Sequence, residues 1–383
     1  MAYSPKYQIS NSILKNVGTI DAAREVITHA PLVPAWERRF QTEARTKIIH
    51  HGTHLEGNDL NLEEVEQILD PNPPSTIHDL PSNAPVGRDR DIQEVINYRS
   101  VMDYLDSLAA RGSDLEGSAQ PADTKAGRSD PKGYIHLSTH ILQEIHRLTV
   151  AGLLPPGEAG HYRTVKVVIR NTATQEITFR PPPPTEVAFY LDELFAWLKS
   201  DEGQDTHPLL RAGILHYELV RIHPFTDGNG RTARAMALLL LFLEGYQVKK
   251  FFALEEYYDS HPEEYYSALQ SVSNSGGDLT SWLEYFTLGI AIEFNRVKDL
   301  VQKLSLDLRL KTTMGGHQIT LTDRQIKLVE YLEKHGSVGM SDARDLLPQV
   351  SEDTVLRDLR DLVGKGLIVK RGQTKGAKYY IKN

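Results

Sequence analysis

A mainly α-helical chain with a small α+β unit at its C-terminal end is the fold class the sequence predicts, and three observations predict it. Apolar residues recur three and four apart in segment after segment, the spacing that gathers them on one face of a helix. β-branched residues cluster between turn formers in only two places, around 165–179 and 367–381, so strands should be few and short. Beyond residue 320 the pattern tightens into three short helical segments followed by two strands around a Gly-rich turn.

Taken in order, Ile13, Leu14, Val17, Ile20 and Ala23 predict an amphipathic helix within 1–30, broken or restarted at Gly18 and ended by Pro31 and Pro34. A second helix runs from Ala35 through Ile49 into the stretch from His50 to Asn58. His50 and His54 share a face there, as zinc ligands do, but no third ligand follows, and Glu56-Gly57-Asn58 has the composition of a helix C-cap. Leu62–Leu69 reads as a short helix and Pro71–Pro85 as a loop. Ile92, Val95, Ile96, Val101 and Leu105 mark a helix over Asp91–Leu108. Arg111–Lys132, rich in Gly, Ser, Asp and Lys, has little to bury and reads as a surface loop. Ile135–Leu148 is helical again. Val165, Val167, Val168 and Ile169 then favour a strand that pairs with Ile177–Phe179 across Asn171–Gln175 as a β-hairpin, and Pro181–Pro184 stiffens the exit as polyproline II. Val187–Leu198 and Phe251–Leu269 are helical segments. From Leu279 a long helix points toward Leu310, its Ile290, Phe294, Val297, Val301 and Leu304 forming a narrow stripe suited to linking domains or to forming a homodimer.

The densest chemistry lies in His223-Pro-Phe-Thr-Asp-Gly-Asn-Gly-Arg-Thr-Ala-Arg234. Leu209, Ile214, Leu215, Leu219 and Ile222 precede it at helical spacing, and Ala233, Met236, Ala237, Leu240 and Leu241 follow, so the motif joins two helices. Gly228 and Gly230 permit a loop whose amides turn inward at the start of the second helix, where free N–H groups and the macrodipole favour an anion. Arg231 and Arg234 lie one turn apart and can fork onto phosphate oxygens. Asp227 is misplaced beside bare phosphates unless it holds a hard cation that bridges them. His223 stands at the edge of this anionic site as a candidate general base.

At every fixed position this stretch resembles the pattern His-x-Phe-x-Asp/Glu-Gly-Asn-Gly-Arg-x-x-Arg of the Fic family. The resemblance implies a Fic-type helical core with a β-hairpin flap, and transfer of AMP from ATP to a hydroxyl side chain of a target protein or of the chain itself. It implies that His223 deprotonates the acceptor hydroxyl and that Asp227 binds Mg²⁺ (or Mn²⁺). Gly228, Asn229 and Gly230 with Arg231 would hold the α- and β-phosphates, Arg234 the γ-phosphate, and Phe225 would anchor the loop in the core. The hairpin would pair with the target segment through an edge strand. Tyr257, Tyr258, Tyr265 and Tyr266 offer either a wall for adenine or core packing. Leu55-Glu56-Gly57-Asn58 resembles the end of the family's inhibitory helix, Ser/Thr-x-x-x-Glu-Gly/Asn, whose Glu pairs with the second Arg of the motif. Gly52 stands where that pattern has its hydroxyl, with Thr53 one place late. The alternative for Glu56 is a surface residue near a helix end.

Three domains are expected: residues 1–90 with the inhibitory segment, 91–312 as the catalytic unit, and 313–383. The last resembles a winged helix-turn-helix, with helices over Asp323–Lys334, Ser341–Leu347 and Ser351–Gly364 and strands over Leu367–Lys370 and Lys378–Ile381. Residues 365–383 hold six Lys or Arg and no acid, as a wing against DNA phosphates would. The third helix, however, sets Glu352, Asp353, Asp358 and Asp361 beside Arg357 and Arg360, so 317–383 is open to DNA or to protein contact. A nucleotide-sensing DNA-binding regulator, de-AMPylation and another phosphate donor are the competing readings. The whole chain, 383 residues at net charge −8 and 40% hydrophobic, is that of a globular protein rather than a general nucleic-acid binder. Without cysteine, disulfides, thiol nucleophiles and thiolate metal sites are excluded. No apolar run approaches the roughly 20 residues of a membrane span, and the polar start from Met1 to Asn11 lacks a signal core, so the expected compartment is the cytoplasm.

Overall fold

The structure, a computed structural model, describes residues 3–30, 34–69, 88–114, 136–170, 177–247, 252–304, 321–348, 350–372 and 377–382. The expected loops at Pro71–Pro85 and Asn171–Gln175, most of Arg111–Lys132, the boundary Thr313–Gln318 and all but the first residue of the turn Gly372–Gly376 lie outside them. Contacts divide the chain into two units, one of 1–25 with 43–297 and one of 26–42 with 298–383. The class is mainly α, as the helical spacing requires. Among the described residues no helix is long and apolar enough to cross a membrane.

The first unit is built around two helices that are buried almost throughout, α8 (Pro208–Ile222) and α9 (Asn229–Leu243). Before them in sequence come α1 (Asn11–His29), α2 (Pro34–His54), α3 (Leu62–Leu69), α4 (Asp89–Asp114), α5 (Thr139–Thr149), α6 (Pro184–Lys199) and α7 (Asp201–Asp205). After them come α10 (Leu254–Ser260), α11 (Pro262–Asn274) and α12 (Thr280–Leu304). Helices α4 and α5 pack on α9, and α6 packs on α8. Local chemistry sets many of the ends. Asn61 and Glu64 exchange side-chain and backbone hydrogen bonds at the start of α3 (2.8 and 3.0 Å), a capping box. Pro184 and Pro208 occupy first-turn positions of α6 and α8, where a missing N–H costs nothing.

Several sequence expectations change. α1 is continuous through Gly18, which has open space around it. The segment Phe251–Leu269 is two helices, because Pro262 starts a new one after His261. The polar stretch before the motif contains α7, capped by the Ser200 hydroxyl accepting from Gly203 N–H (3.2 Å). In the α12 stripe, Ile290, Phe294, Val297 and Val301 are buried within the chain, while Leu288 and Ile292 face outward instead. Strands β1 (Ile169–Arg170) and β2 (Ile177–Phe179) pair antiparallel, with Ile169 opposite Phe179.

The second unit contains α13 (Asp323–His335), α14 (Met340–Leu346) and α15 (Glu352–Gly364), then β3 (Ile368–Arg371) and β4 (Lys378–Ile381). β3 and β4 are antiparallel, and Val338 bridges to Tyr379 beside them. Thr322 and Gln325 form a capping box at the start of α13, and Gly336 ends it at φ 75°. Val355, Leu359 and Leu362 of α15 are fully buried. Asp358 is buried against Arg324 (2.7 Å), and Asp361 bonds Gln325 and Lys365. One of the four acids expected to spoil the face of α15, Asp358, therefore serves the interior of the unit, and Asp361 is paired at its surface, while Arg357 and Arg360 stay exposed.

Close packing of α8 on α12 depends on Gly213. Its carbonyl accepts from the buried Trp282 indole N–H (2.8 Å), and a Cβ there would stand 2.8 Å from Leu283 Cδ2 and 3.0 Å from Phe286 Cδ1. Gly213→Val should therefore lower unfolding free energy by about 2 kcal/mol through overpacking, read as a drop in urea midpoint at constant slope.

Candidate active site

The loop between α8 and α9 is closed from within by the side chain of Asn229. Asn229 accepts from Phe225 N–H through Oδ1 and donates to the Phe225 carbonyl through Nδ2, both at 2.9 Å. Phe225 is thereby pinned with its ring fully buried, stacked flat on His146 at 3.6 Å between centroids. Gly160 N–H donates to His146 Nδ1 (2.9 Å), so the imidazole proton sits on Nε2 and is donated to the Asp227 carbonyl (3.0 Å). Arg163 closes the other side of the loop. Its guanidinium donates to the carbonyls of His223 (2.7 Å), Val165 (3.1 Å) and Pro182 (2.6 Å), and its backbone N–H to Pro224 (2.9 Å). One buried cation thus ties the base of the β1–β2 hairpin to the loop.

His223 caps α8 in the left-handed region (φ 51°), and among the described residues it is the only non-glycine with positive φ. Such a backbone is costly for a side-chain-bearing residue and marks a position fixed by its surroundings. Its Nδ1 faces the Val220 carbonyl at 3.3 Å, an acceptor only, so Nδ1 carries the proton and Nε2 keeps its lone pair. Burial holds its pKa down to about 4, so the ring is neutral at neutral pH.

Gly228 starts α9 at φ 73°, and a Cβ there would meet Val150 Cγ1 at 2.8 Å, so both conformation and space demand glycine. Arg231 and Arg234 follow, each 3% exposed or less. Arg231 has Glu94 at 3.4 Å and Asp227 at 3.9 Å, yet its Nε and Nη1 meet no hydrogen-bond acceptor. Asp227 accepts from Gly228 N–H (2.6 Å) and from Arg90 (3.1 Å).

The structure brings Glu56 to this loop from the end of α2. Its Oε1 lies 2.8 Å from Arg234 Nη2, which also donates to the Gly52 carbonyl (2.9 Å). Burial, the largest single effect, works against the Arg234 charge, but the Glu56 carboxylate together with Tyr265, Tyr98 and Tyr266 raises its pKa above the ordinary value. A Cβ on Gly230 would collide with Glu56 Oε1, so the absence of a side chain at Gly230 makes room for a carboxylate at the start of α9.

The displaced hydroxyl of α2 also has an explanation. At Gly52 a Cβ would come within 2.6 Å of the fully buried Tyr98 ring, so no larger residue fits. Thr53 turns its hydroxyl back onto its own helix, donating toward the carbonyls of Ile49 (2.9 Å) and His50 (3.0 Å). His51 and His54 both present Nδ1 to Asp259 on α10 at 2.7 Å, and Tyr266 donates to the Leu55 carbonyl (3.4 Å). The last turn of α2 is therefore seated on α10 and α11. Tyr258 and Tyr265 are buried in the core, Tyr265 bonded to His216 (2.9 Å), so these two do not provide an open wall for a flat ring.

Sequence reading found the motif and Glu56 but missed Glu94, His146, Arg163 and Arg90. Glu94 shares a helical stripe with Asn97, Tyr98 and Val101, and a charge inside a buried stripe was the available signal. Arg163 sits in the hairpin approach, where spacing alone gives no sign of partners 60 residues away.

His146 and His216 are buried neutral, with pKa values pushed down by desolvation to about 4 and about 3. Between about pH 6.5 and 4 the unfolded chain binds protons these rings do not, so their contribution to stability is present above that window and is lost as pH falls through it. Nitrogen-15 NMR should show His146 as the neutral Nε2–H tautomer at pH 5; titration near 6.5 would contradict the geometry.

Comparison with known proteins falls on the same residues. Positions 136–241 match the model of the Fic/DOC family, and 324–374 that of the DeoR-like helix-turn-helix domain. The chain is 26% identical over 266 residues to the protein adenylyltransferase Fic of Culex quinquefasciatus, covering 68% of this chain and 43% of that one. It is 24% identical over 343 residues to that of Aedes aegypti, covering 87% and 56%. The chain spans about half the length of these curated relatives. Among solved structures, a Fic family protein from Desulfovibrio desulfuricans G20 superposes with TM-score 0.61 at 23% identity over 100% of this chain and 99% of that one. A fragment of Fic-1 from C. elegans superposes with TM-score 0.55 at 25% identity over 76% and 73%. Motif, fold and comparisons agree: the chain carries a Fic/DOC family domain, followed by a DeoR-like helix-turn-helix domain.

Proposed function

We propose that the chain is a protein adenylyltransferase that moves AMP from ATP to a Ser, Thr or Tyr hydroxyl, on a target protein or on itself, and that Glu56 holds it shut. The observation that carries this reading is the Glu56 carboxylate, 2.8 Å from Arg234 and against Gly230 at the start of α9. An internal anion already rests where a terminal phosphate would have to go. The names of the curated relatives support the same activity.

In this reading His223 Nε2 takes the proton of the target hydroxyl, whose oxygen attacks the α-phosphorus. The bond to the bridging oxygen breaks and pyrophosphate leaves. The free donors of Arg231 and the N–H groups at the start of α9 orient the phosphates and stabilise the charge that develops on them. Arg234 takes the γ-phosphate once Glu56 withdraws. Asp227, half exposed beside Arg231, fits a divalent cation held by one carboxylate and by the nucleotide, the usual arrangement for Mg²⁺. Mg²⁺ or Mn²⁺ bound there would supply further charge neutralisation. The outward faces of Val165 and Val168 suit an extended target segment laid along the hairpin.

With labelled ATP and Mg²⁺, Glu56→Gly should raise labelling of protein at least about tenfold, because one charge-assisted contact no longer competes for Arg234. His223→Ala should abolish it, and no label in any form would sink the proposal. Since His223 stays neutral to about pH 4, kcat/KM of the Glu56→Gly form should show no acid limb near 6.5.

A second reading concerns the C-terminal domain alone. Exposed Arg357 and Arg360 on α15, with Lys370, Arg371, Lys378 and Lys382 on the wing, support contact with DNA phosphates. A steep loss of duplex affinity with salt, reduced by Arg357→Ala, is expected; salt-independent binding or none would remove this reading.

A further inference from the structure

Glu94 is a buried carboxylate outside the motif, and its contacts converge on the motif's first arginine. It lies in the first turns of α4, 5% exposed, with Oε1 3.4 Å from Arg231 Nη1 and 3.3 Å from Arg90 Nε. Its Oε2 accepts from Asn58 Nδ2 at 3.2 Å. Asn58 is itself buried, its amide also donating to the Asp91 carbonyl (2.9 Å) and its Oδ1 accepting from Leu60 N–H (3.1 Å). The carboxylate is therefore held by its own helix and by the turn that follows Glu56.

Arg231 needs such a partner. It is 2% exposed, and a guanidinium is strongly unfavourable in such a position without a counter-charge. Asp227 is farther away at 3.9 Å and its side chain is 42% exposed, while Arg90 meets both carboxylates alike. Glu94 is nearer and cannot swing away. Its 3.4 Å approach neutralises the guanidinium without the alignment of a hydrogen bond, so Nε and Nη1 keep their donors free. Glu56 differs on each count: it stands at a helix end, its side chain is 29% exposed, and it sits in the place of the ligand.

We propose that Glu94 is the positioning residue of Arg231, fixing the guanidinium beside the start of α9 with its donors directed to the nucleotide phosphates. The proposal rests on the reading of Arg231 as a phosphate ligand. A carboxylate that only filled space in α4 would not distinguish ATP from adenosine. One that orients Arg231 would.

The test is calorimetric binding of ATP and of adenosine to the full chain carrying Glu56→Gly, alone and with Glu94→Gln, with Arg231→Ala, and with both. Glu94→Gln should weaken ATP about tenfold, the scale of one charge-assisted interaction, and leave adenosine unchanged. Added to Arg231→Ala it should cost nothing more, because the group it positions is gone. Unchanged ATP affinity, an equal loss for adenosine, or full additivity with Arg231→Ala would each overturn the proposal. Should Arg231→Ala itself bind ATP normally, the phosphate reading of Arg231 fails and this proposal with it. If Glu94→Gln does not fold, Glu94→Asp keeps the buried charge but shortens its reach. A smaller loss for ATP alone is then expected, and parental ATP binding would again overturn the assignment.

Discussion

Two hydrogen bonds of 2.9 Å, from one side-chain amide to both backbone groups of Phe225, are the constraint on which the rest of the site depends. They close the turn between α8 and α9 so that His223 ends one helix while Gly228 begins the next. Only a planar amide with a donor and an acceptor side by side can satisfy an N–H and a C=O of the same residue. The Phe225 ring drives into the core as a consequence, and His146 packs flat against it while gripping the Asp227 carbonyl. Loop backbone that water would otherwise solvate is thus matched group by group, as buried polar atoms require.

Around that turn each of the two buried arginines faces a carboxylate from another helix region. Arg231 is balanced by Glu94, set in the body of α4 and held by Asn58. Arg234 is balanced by Glu56, set just past the end of α2 and partly open to solvent. Removing Glu56 takes the carboxylate from buried Arg234, and removing Glu94 leaves buried Arg231 only the more distant Asp227 at 3.9 Å; both changes are unfavourable. A phosphate is a suitable replacement for Glu56, since it brings more acceptors and more charge to the same guanidinium. In the proposed reading, ligand and inhibitory segment compete for one site, and the contacts of the α2 end with Asp259 and Tyr266 oppose the exchange.

Much of the helical order was legible because periodicity records burial directly. Leu62–Leu69 agrees in both ends, and the apolar residues assigned to α15 are the buried ones. Legibility failed where a residue's role depends on a distant partner. The stripe on α12 left open whether it links parts of this chain or pairs with a second copy, and Ile290, Phe294, Val297 and Val301 are buried within the chain. The tyrosines after residue 256 offered either a wall for a flat ring or core packing, and Tyr258 and Tyr265 fill the core beside His216. The acids of α15 looked like a repulsive face until Asp358 and Asp361 turned to Arg324, Gln325 and Lys365.

The sequence by itself determined the helical class, the turn that carries His223 through Arg234, and the residue types an anion site needs, since spacing and conformational freedom are local properties. The resemblance of Leu55–Asn58 to an inhibitory segment named Glu56 as a partner for Arg234, but contact between residues 178 positions apart is a matter of packing. Only the tertiary structure placed the Glu56 carboxylate against Gly230, brought Glu94 to Arg231, and showed why Gly52 replaces a hydroxyl: the Tyr98 ring occupies the space a Cβ would need. Those facts depend on which helices meet and how closely, and no pattern along a single chain encodes that distance.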